Sequence, residues 1–151
     1  MSTAPAAVRR VPLDHVMDLR VRVLRRGTPV DHCRYPEDDR DDVVHLGIDE
    51  HGSAVATSTW FMNPCPEVPG VPAMQLKGMA VDLDAQTSGL GRALIEAGIG
   101  LARERSMQLV WARARDSALG FYEKCGFHAV GEGFIDGPTA MPHHIVVRRI
   151  D

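Results

Sequence analysis

The chain has 151 residues, and 44% of them are hydrophobic, which suits one domain with a single packed core. Lys and Arg number 17 against 20 Asp and Glu, and the net charge of −3 argues against a nucleic-acid-binding surface. No apolar run approaches the roughly 18 residues of a membrane span, and residues 1–8 lack the pattern of a secretory signal. We therefore expect a single cytoplasmic domain over residues 1–151, with neither membrane nor nucleic acid as a partner.

The cysteine content predicts free thiols. The three cysteines, Cys33, Cys65 and Cys125, are an odd number, and no two of them form a Cys-x-x-Cys pair. Such cysteines are typical of a reducing compartment. No group of cysteines and histidines has the spacing of zinc ligands, so we expect no metal.

The first half of the chain predicts one strand, one helix and one hairpin. A short strand is expected over residues 8–11, and apolar residues at helical spacing predict a helix over residues 13–24. Residues 25–42 contain glycine, proline and six acidic residues, which indicates a long loop or a broken helix. Two β-rich runs, residues 43–49 and 54–61, flank a short polar turn and indicate a hairpin.

The second half predicts strands alternating with helices. Four prolines indicate a loop over residues 63–72. The elements expected after it are a strand over 74–81, a helix over 91–104, a strand over 107–114, a helix over 117–124 capped by Asp116 or Ser117, and strands over 127–131 and 144–150. The strand–helix–strand unit should be parallel, and the whole order suits an α/β sandwich.

The turn before the helix over 91–104 is the most informative segment. Gly89 and Gly91 allow close approach of the backbone to a ligand, and a helix N-terminus behind them attracts phosphate. A dinucleotide turn would need a third glycine where Leu94 stands, and an ATP-binding loop would need Gly-Lys followed by Ser or Thr. The turn therefore predicts a different phosphorylated cofactor, and a nucleotide-binding regulator is disfavoured.

Three segments carry a family resemblance. Gln86, Gly89 and Gly91 form Gln-x-x-Gly-x-Gly, which resembles the acetyl-CoA pyrophosphate loop of the GNAT N-acetyltransferase superfamily. Residues 76–82 resemble the fourth strand of that family, and residues 121–127 resemble its Tyr-Glu-Lys-x-Gly-Phe signature. The three matches occur in the order of the family.

The resemblance implies an α/β (α+β) domain whose mixed, mostly antiparallel sheet is flanked by helices. It implies that the fourth and fifth strands splay apart to admit acetyl-CoA, and that the chain is able to form a homodimer. The cofactor-binding residues that it implies are Met79, Ala80, Val81, Gln86, Thr87, Ser88, Gly89, Leu90, Gly91 and Arg92. Ser88 stands where the family usually has a basic or amide side chain, and Arg92 is the candidate to supply the charge.

The resemblance also implies direct transfer of the acetyl group to a primary amine. Tyr122 matches the family residue that protonates the departing CoA thiolate. Some relatives use a glutamate of the fourth strand as base, but residues 74–78 contain no carboxylate. His45 and either His143 or His144 are candidate bases, because histidine titrates near neutrality. Proton removal through ordered water is the alternative.

The acceptor amine is not specified by the sequence. The acidic run over residues 37–42 would attract a cationic amine, whereas Arg20, Arg22, Arg25 and Arg26 would suit an acidic substrate. Both sets are also typical of solvated surfaces. The acceptor could be a small molecule or a peptide, and a non-catalytic acyl-CoA-binding sensor is the alternative function.

Overall fold

The computed structural model describes residues 7–24, 33–85, 89–136 and 140–150. Three α-helices and seven strands lie within these ranges, and none of these helices is long and apolar enough to cross a membrane. The elements are β1 (Arg9–Val11), α1 (Leu13–Leu24), β2 (Val44–Glu50), β3 (Ser53–Met62), β4 (Ala73–Val81), α2 (Leu90–Glu104), β5 (Leu109–Arg115), α3 (Leu119–Lys124), β6 (His128–Asp136) and β7 (Met141–Arg149).

The strands form one mixed sheet in the order β1-β2-β3-β4-β5-β7-β6. β4 and β5 are parallel, as expected for strands joined through a helix, and four other neighbouring pairs are antiparallel. The register of β4 with β5 pairs Ala73–Leu76 with Leu109–Ala112, although both strands are longer. The mixed, mostly antiparallel sheet confirms the expected fold class, and the short register agrees with divergence of the fourth and fifth strands.

The chain divides into two compact units. The first comprises Met1–Trp60 and Gly78–Gly98, and the second comprises Phe61–Lys77 and Ile99–Asp151. β2 and β3 form the predicted hairpin of the first unit. Its turn contains His51 with φ of +54° and Gly52 with φ of +82°. Two consecutive positive φ angles match the right-handed twist of hairpin strands.

Helix α1 belongs to the core of the first unit. Its residue Leu19 packs against Ala54 of β3 and Ala80 of β4, with Val23 and Leu24 at the edge of the cluster. The apolar residues of α1 therefore face the sheet, as those of amphipathic helices do.

One core cluster of the second unit lies on one face of β5 and β7. Leu109, Trp111, Ile145 and Val147 alternate along these strands and form a cluster with Cys65 and Ala73. The Trp111 indole donates a hydrogen bond to the Asn63 carbonyl at 2.8 Å. This bond ties the proline-rich loop to the cluster.

Three predicted boundaries were wrong, each for a reason outside the local sequence. β6 runs to Asp136 and β7 begins at Met141, because the two strands pair beyond the bulge between Val130 and Phe134. His143 and His144 therefore lie within β7. A 3-10 turn, Asp116–Ala118, precedes α3. The N-cap residue of α3 is therefore Ala118, which makes no side-chain cap, and not Asp116 or Ser117.

Candidate active site

Gly89 and the start of α2 form the described part of the predicted cofactor loop. Gly89 has a φ of +77°, and no described residue from elsewhere in the fold lies within 4 Å of the position that a Cβ would take. The amide of Ala93 donates the first helical hydrogen bond of α2 to the Gly89 carbonyl at 3.1 Å. The amides of Leu90, Gly91 and Arg92 precede this bond, so the helix start offers donors and a positive dipole end to an anion.

The rest of the predicted loop is Gln86, Thr87 and Ser88, which lie outside the described residues. Arg92 is exposed on the first turn of α2. Its guanidinium carries only donors and suits a phosphate bidentately, so it fits the role of the loop's basic side chain.

The end of β4 contains the residues predicted to contact the cofactor through their backbone. Ala80 is buried against Leu19 and Ala54, whereas its neighbours Met79 and Val81 are half-buried. The side chain of Ala80 therefore anchors this end of the strand in the core of the first unit. Its backbone keeps the extended geometry with which an extended ligand pairs.

A buried ion pair joins α1 to the segment before β2. Arg20 is 0% exposed, and its two terminal nitrogens donate to the Asp38 carboxylate at 2.8 and 3.0 Å. The same guanidinium donates to the Cys33 carbonyl at 2.9 Å and to the Thr59 hydroxyl at 2.7 Å. Its Nε is buried without a hydrogen-bond partner among the described residues. Arg20 is thus a core residue and not part of an exposed acid-binding face.

His45 belongs to this buried network. Its Nδ1 lies 2.8 Å from the Thr59 hydroxyl, and its Nε2 lies 3.8 Å from the Asp38 carboxylate. The Thr59 hydroxyl can donate to Nδ1 while it accepts from Arg20, and a ring proton on Nε2 would then face the Asp38 carboxylate. Both ring nitrogens then face protein groups.

The network shifts the pKa of two of its members. Burial lowers the pKa of His45, the positive charge of Arg20 lowers it further, and Asp38 opposes both. Burial alone would raise the pKa of Asp38, but hydrogen bonds from Arg20 and the Tyr35 amide hold it below the ordinary value. At neutral pH the network therefore contains an ionised Asp38 next to a neutral His45.

The segment that carries Asp38 also packs on β4. The Arg20 guanidinium lies 4.2 Å from the centroid of the Tyr35 ring, within cation–π range. Gly78 has a φ of +66°, and a Cβ there would stand 3.0 Å from Tyr35 Cε2 and 3.4 Å from Arg20 Nε. A side chain at position 78 would therefore displace this packing.

Tyr122 lies in α3, in the second unit. It is 6% exposed, and its ring makes edge contacts with Phe121 and Phe127 at centroid distances of 5.2 and 5.4 Å. Burial, together with nearby Cys125, raises the pKa of Tyr122. The hydroxyl therefore remains protonated at neutral pH.

The two histidines of β7 point to opposite faces of the sheet, because they are consecutive strand residues. His143 stacks on Phe134 at 5.8 Å, and its Nδ1 lies 2.6 Å from the Met141 carbonyl. His144 instead places its Nδ1 2.7 Å from the Asp116 carboxylate. Of the two, only His144 therefore has an anionic partner.

The predicted residues are thus divided between the units. The first unit holds the glycine turn, the end of β4 and His45, whereas the second holds Tyr122, His143 and His144. The sequence does not indicate that Arg20 pairs with Asp38 or that His144 pairs with Asp116. No local pattern indicates either pair, because the partners are 18 and 28 residues apart.

Comparison with known proteins identifies the family of the chain. Residues 14–127 match the model of the acetyltransferase (GNAT) family. The chain is 29% identical over 140 residues to an uncharacterized N-acetyltransferase, YitI, of Bacillus subtilis strain 168, and the match covers 93% of each protein. Because the family model matches most of the chain, the protein belongs to the acetyltransferase (GNAT) family.

Solved structures show the same fold. An acyl-CoA N-acyltransferase from Pseudomonas aeruginosa superposes with a TM-score of 0.72 at 20% identity, covering 95% of this chain and 99% of that one. A chain of the NatC complex, solved with Gag peptide and CoA, superposes with a TM-score of 0.75 at 13% identity and covers 98% and 100%. At these sequence identities the similarity shows a shared fold and nothing more.

Proposed function

We propose that this protein transfers an acetyl group from acetyl-CoA to a primary amine of a small molecule or peptide. The observation that carries the proposal is the junction of Gly89 with α2, which lies within the segment that matches the family model. A positive φ, an open space at Cβ and three leading amides suit a pyrophosphate. The CoA in the NatC complex, one chain of which has the same fold, is consistent with this choice of cofactor.

The residues proposed to hold acetyl-CoA act mainly through their backbone. The amides of Leu90, Gly91 and Arg92, with the loop over residues 86–89, would hold the pyrophosphate. The backbone of Met79, Ala80 and Val81 would pair with the pantetheine arm. When bound, the cofactor supplies the acetyl group as a thioester. A strand amide of β4 that points at the thioester carbonyl would stabilise the oxyanion as the amine attacks.

The proposed acid is Tyr122. The departing sulfur needs a proton, and a buried hydroxyl that stays protonated at neutral pH can donate it. The aromatic contacts of Tyr122 hold the ring in one orientation, so the hydroxyl would need little reorganisation.

The first test is calorimetric titration with acetyl-CoA, with ATP as the comparison ligand. The structure offers a matched pair of variants, Gly89→Glu and Gly52→Glu. Both glycines have positive φ and nothing described within 4 Å of the Cβ position, so both substitutions carry the same backbone strain. Only Gly89→Glu places a negative charge and a side chain at the helix start.

We expect one-to-one binding of acetyl-CoA that Gly89→Glu abolishes and Gly52→Glu preserves. Absence of acetyl-CoA binding by folded wild-type protein would refute the proposal. Binding without CoA release in the presence of any primary amine would favour the non-catalytic acyl-CoA sensor.

A further inference from the structure

His144 and Asp116 form a carboxylate–imidazole pair in the second unit. The Asp116 oxygen lies 2.7 Å from Nδ1 of His144, and a carboxylate oxygen accepts hydrogen bonds. Nδ1 must therefore carry the hydrogen, which leaves the lone pair of the neutral ring on Nε2. In the described part of the chain, His144 makes no other side-chain hydrogen bond. Nε2 is thus an acceptor with no described partner.

The neighbouring strand leaves this nitrogen uncovered. Gly133 of β6 lies beside the ring, and a Cβ at this position would stand 2.9 Å from Cε1 and 3.1 Å from Nε2 of His144. Any side chain at position 133 would therefore crowd the edge that carries the lone pair. The side chain of His144 is 28% exposed, so a ligand can reach it.

His144 and Tyr122 are on the same face of the sheet. The core cluster contains Ile145 and Val147, so alternation directs His144 and Arg148 to the opposite face. Arg148 donates a hydrogen bond to the Cys125 carbonyl at 2.8 Å, immediately after α3. The face that carries His144 is therefore the face covered by α3.

We infer that His144 is the general base of the reaction, with Asp116 as its positioning residue. The inference rests on the proposed acetyl transfer. It assigns the role of general base, which a glutamate of the fourth strand fills in some relatives, to His144, because residues 74–78 contain no carboxylate. A carboxylate that holds Nδ1–H fixes the tautomer and stabilises the imidazolium that forms on proton uptake.

A primary amine acceptor arrives as an ammonium ion near neutral pH. Nε2 of His144 takes one proton and passes it to solvent, which leaves a neutral amine with a free lone pair. The amine nitrogen forms the C–N bond to the acetyl carbon, and the C–S bond breaks. Tyr122 gives its hydroxyl proton to the sulfur and regains one from the amide nitrogen.

The test compares two nucleophiles that differ in their need for a base. Hydroxylamine is uncharged near neutral pH, whereas an aliphatic primary amine is protonated there. CoA release from acetyl-CoA is measured with hydroxylamine and with the primary amine that wild-type protein uses fastest among diamines, aromatic amines and short peptides. The variants are His144→Gln and, as matched control, His128→Gln, which changes an exposed histidine of β6 in the same way.

We expect His144→Gln to lower kcat with the protonated amine by about 10²-fold or more, and to leave the rate with hydroxylamine nearly unchanged. His128→Gln should change neither rate. Equal losses with both nucleophiles, or no loss, would overturn the assignment of His144 alone. Failure of wild-type protein to use either nucleophile would overturn the proposed acetyl transfer, and this inference with it.

Two further variants address the possibility that His144→Gln does not fold. Gly133→Ala keeps the histidine but crowds Nε2, and should lower the amine rate more than the hydroxylamine rate. Asp116→Asn keeps a hydrogen-bond acceptor but removes its charge, and should do the same without changing KM for acetyl-CoA. Equal losses of the amine rate and the hydroxylamine rate in both variants would indicate that the pair of His144 and Asp116 only stabilises β7.

Discussion

Tyr122 is a residue whose packing and chemistry can be separated by one substitution. Phe at position 122 keeps the edge contacts with Phe121 and Phe127 and removes only the hydroxyl. If the hydroxyl protonates the departing sulfur, Tyr122→Phe should lower kcat by about 10²-fold, with little change in KM for acetyl-CoA. Because burial raises the pKa of Tyr122, wild-type activity should show no loss from tyrosine ionisation up to about pH 10.

The control for this prediction is Tyr35→Phe, which removes the hydroxyl of the other tyrosine of the chain. Both variants should retain cooperative thermal unfolding, and CoA release should be measured for each with the same amine. Equal activity of the two variants would mean that Tyr122 serves packing alone.

At the scale of elements, the buried pair of Arg20 and Asp38 fixes the segment between α1 and β2. Removing the charge of Asp38 leaves the Arg20 guanidinium at 0% exposure without its counter-ion. An unpaired buried charge of this kind lowers the free energy of unfolding by about 3–5 kcal/mol. We therefore expect Asp38→Asn to reduce the free energy of unfolding, measured in urea, by this order.

The neighbouring residue provides the control for that measurement. Asp39 pairs with Arg34 at the surface, where both side chains are more than half exposed, and such pairs contribute less than about 1 kcal/mol. Asp39→Asn should therefore unfold close to the wild type. A double variant, Arg20→Met with Asp38→Leu, should recover much of the loss, because it removes both charges together. Equal effects of the two single substitutions would contradict the role of the buried pair.

The elements themselves were predictable where the pattern was local. The hairpin of β2 and β3, the parallel β4–α2–β5 unit and the apolar face of α1 follow from alternation, glycine placement and helical spacing. The burial of Arg20 was not predictable, because an arginine of a surface helix is expected to be exposed. Its burial depends on the Asp38 carboxylate, which comes from another segment of the chain. Asp116 likewise has the sequence position of a helix cap, but β7 provides a stronger partner in His144.

The candidate site was predictable to a similar extent. The glycine turn and Tyr122 belong to contiguous motifs, so the sequence indicated them directly. A general base needs only one histidine in the right place, and three were candidates. Distinguishing His144 from His143 required the face of β7 on which each lies, and that depends on the strand register.

At the scale of the whole molecule, the ionisable groups of the first unit predict how stability depends on pH. Hydrogen bonds from Arg9 and His15 lower the pKa of Asp49, and those from Arg22 and the Asp84 amide lower the pKa of Asp82. Both side chains are near the surface, so each contributes modestly. Asp38 and His45 are buried and have lowered pKa values, so their contributions should dominate.

The sign follows from proton binding. A group whose pKa is lower in the folded state binds fewer protons there than in the unfolded chain, so stability falls as pH drops below the ordinary value. For His45 the decline should begin below about pH 6.5, and for Asp38 below about pH 3.9. Urea unfolding from about pH 3 to about pH 8 should therefore show two successive losses. His45→Gln should remove the upper one and Asp38→Asn should reduce the lower one, whereas unchanged slopes would mean that other groups control acid unfolding.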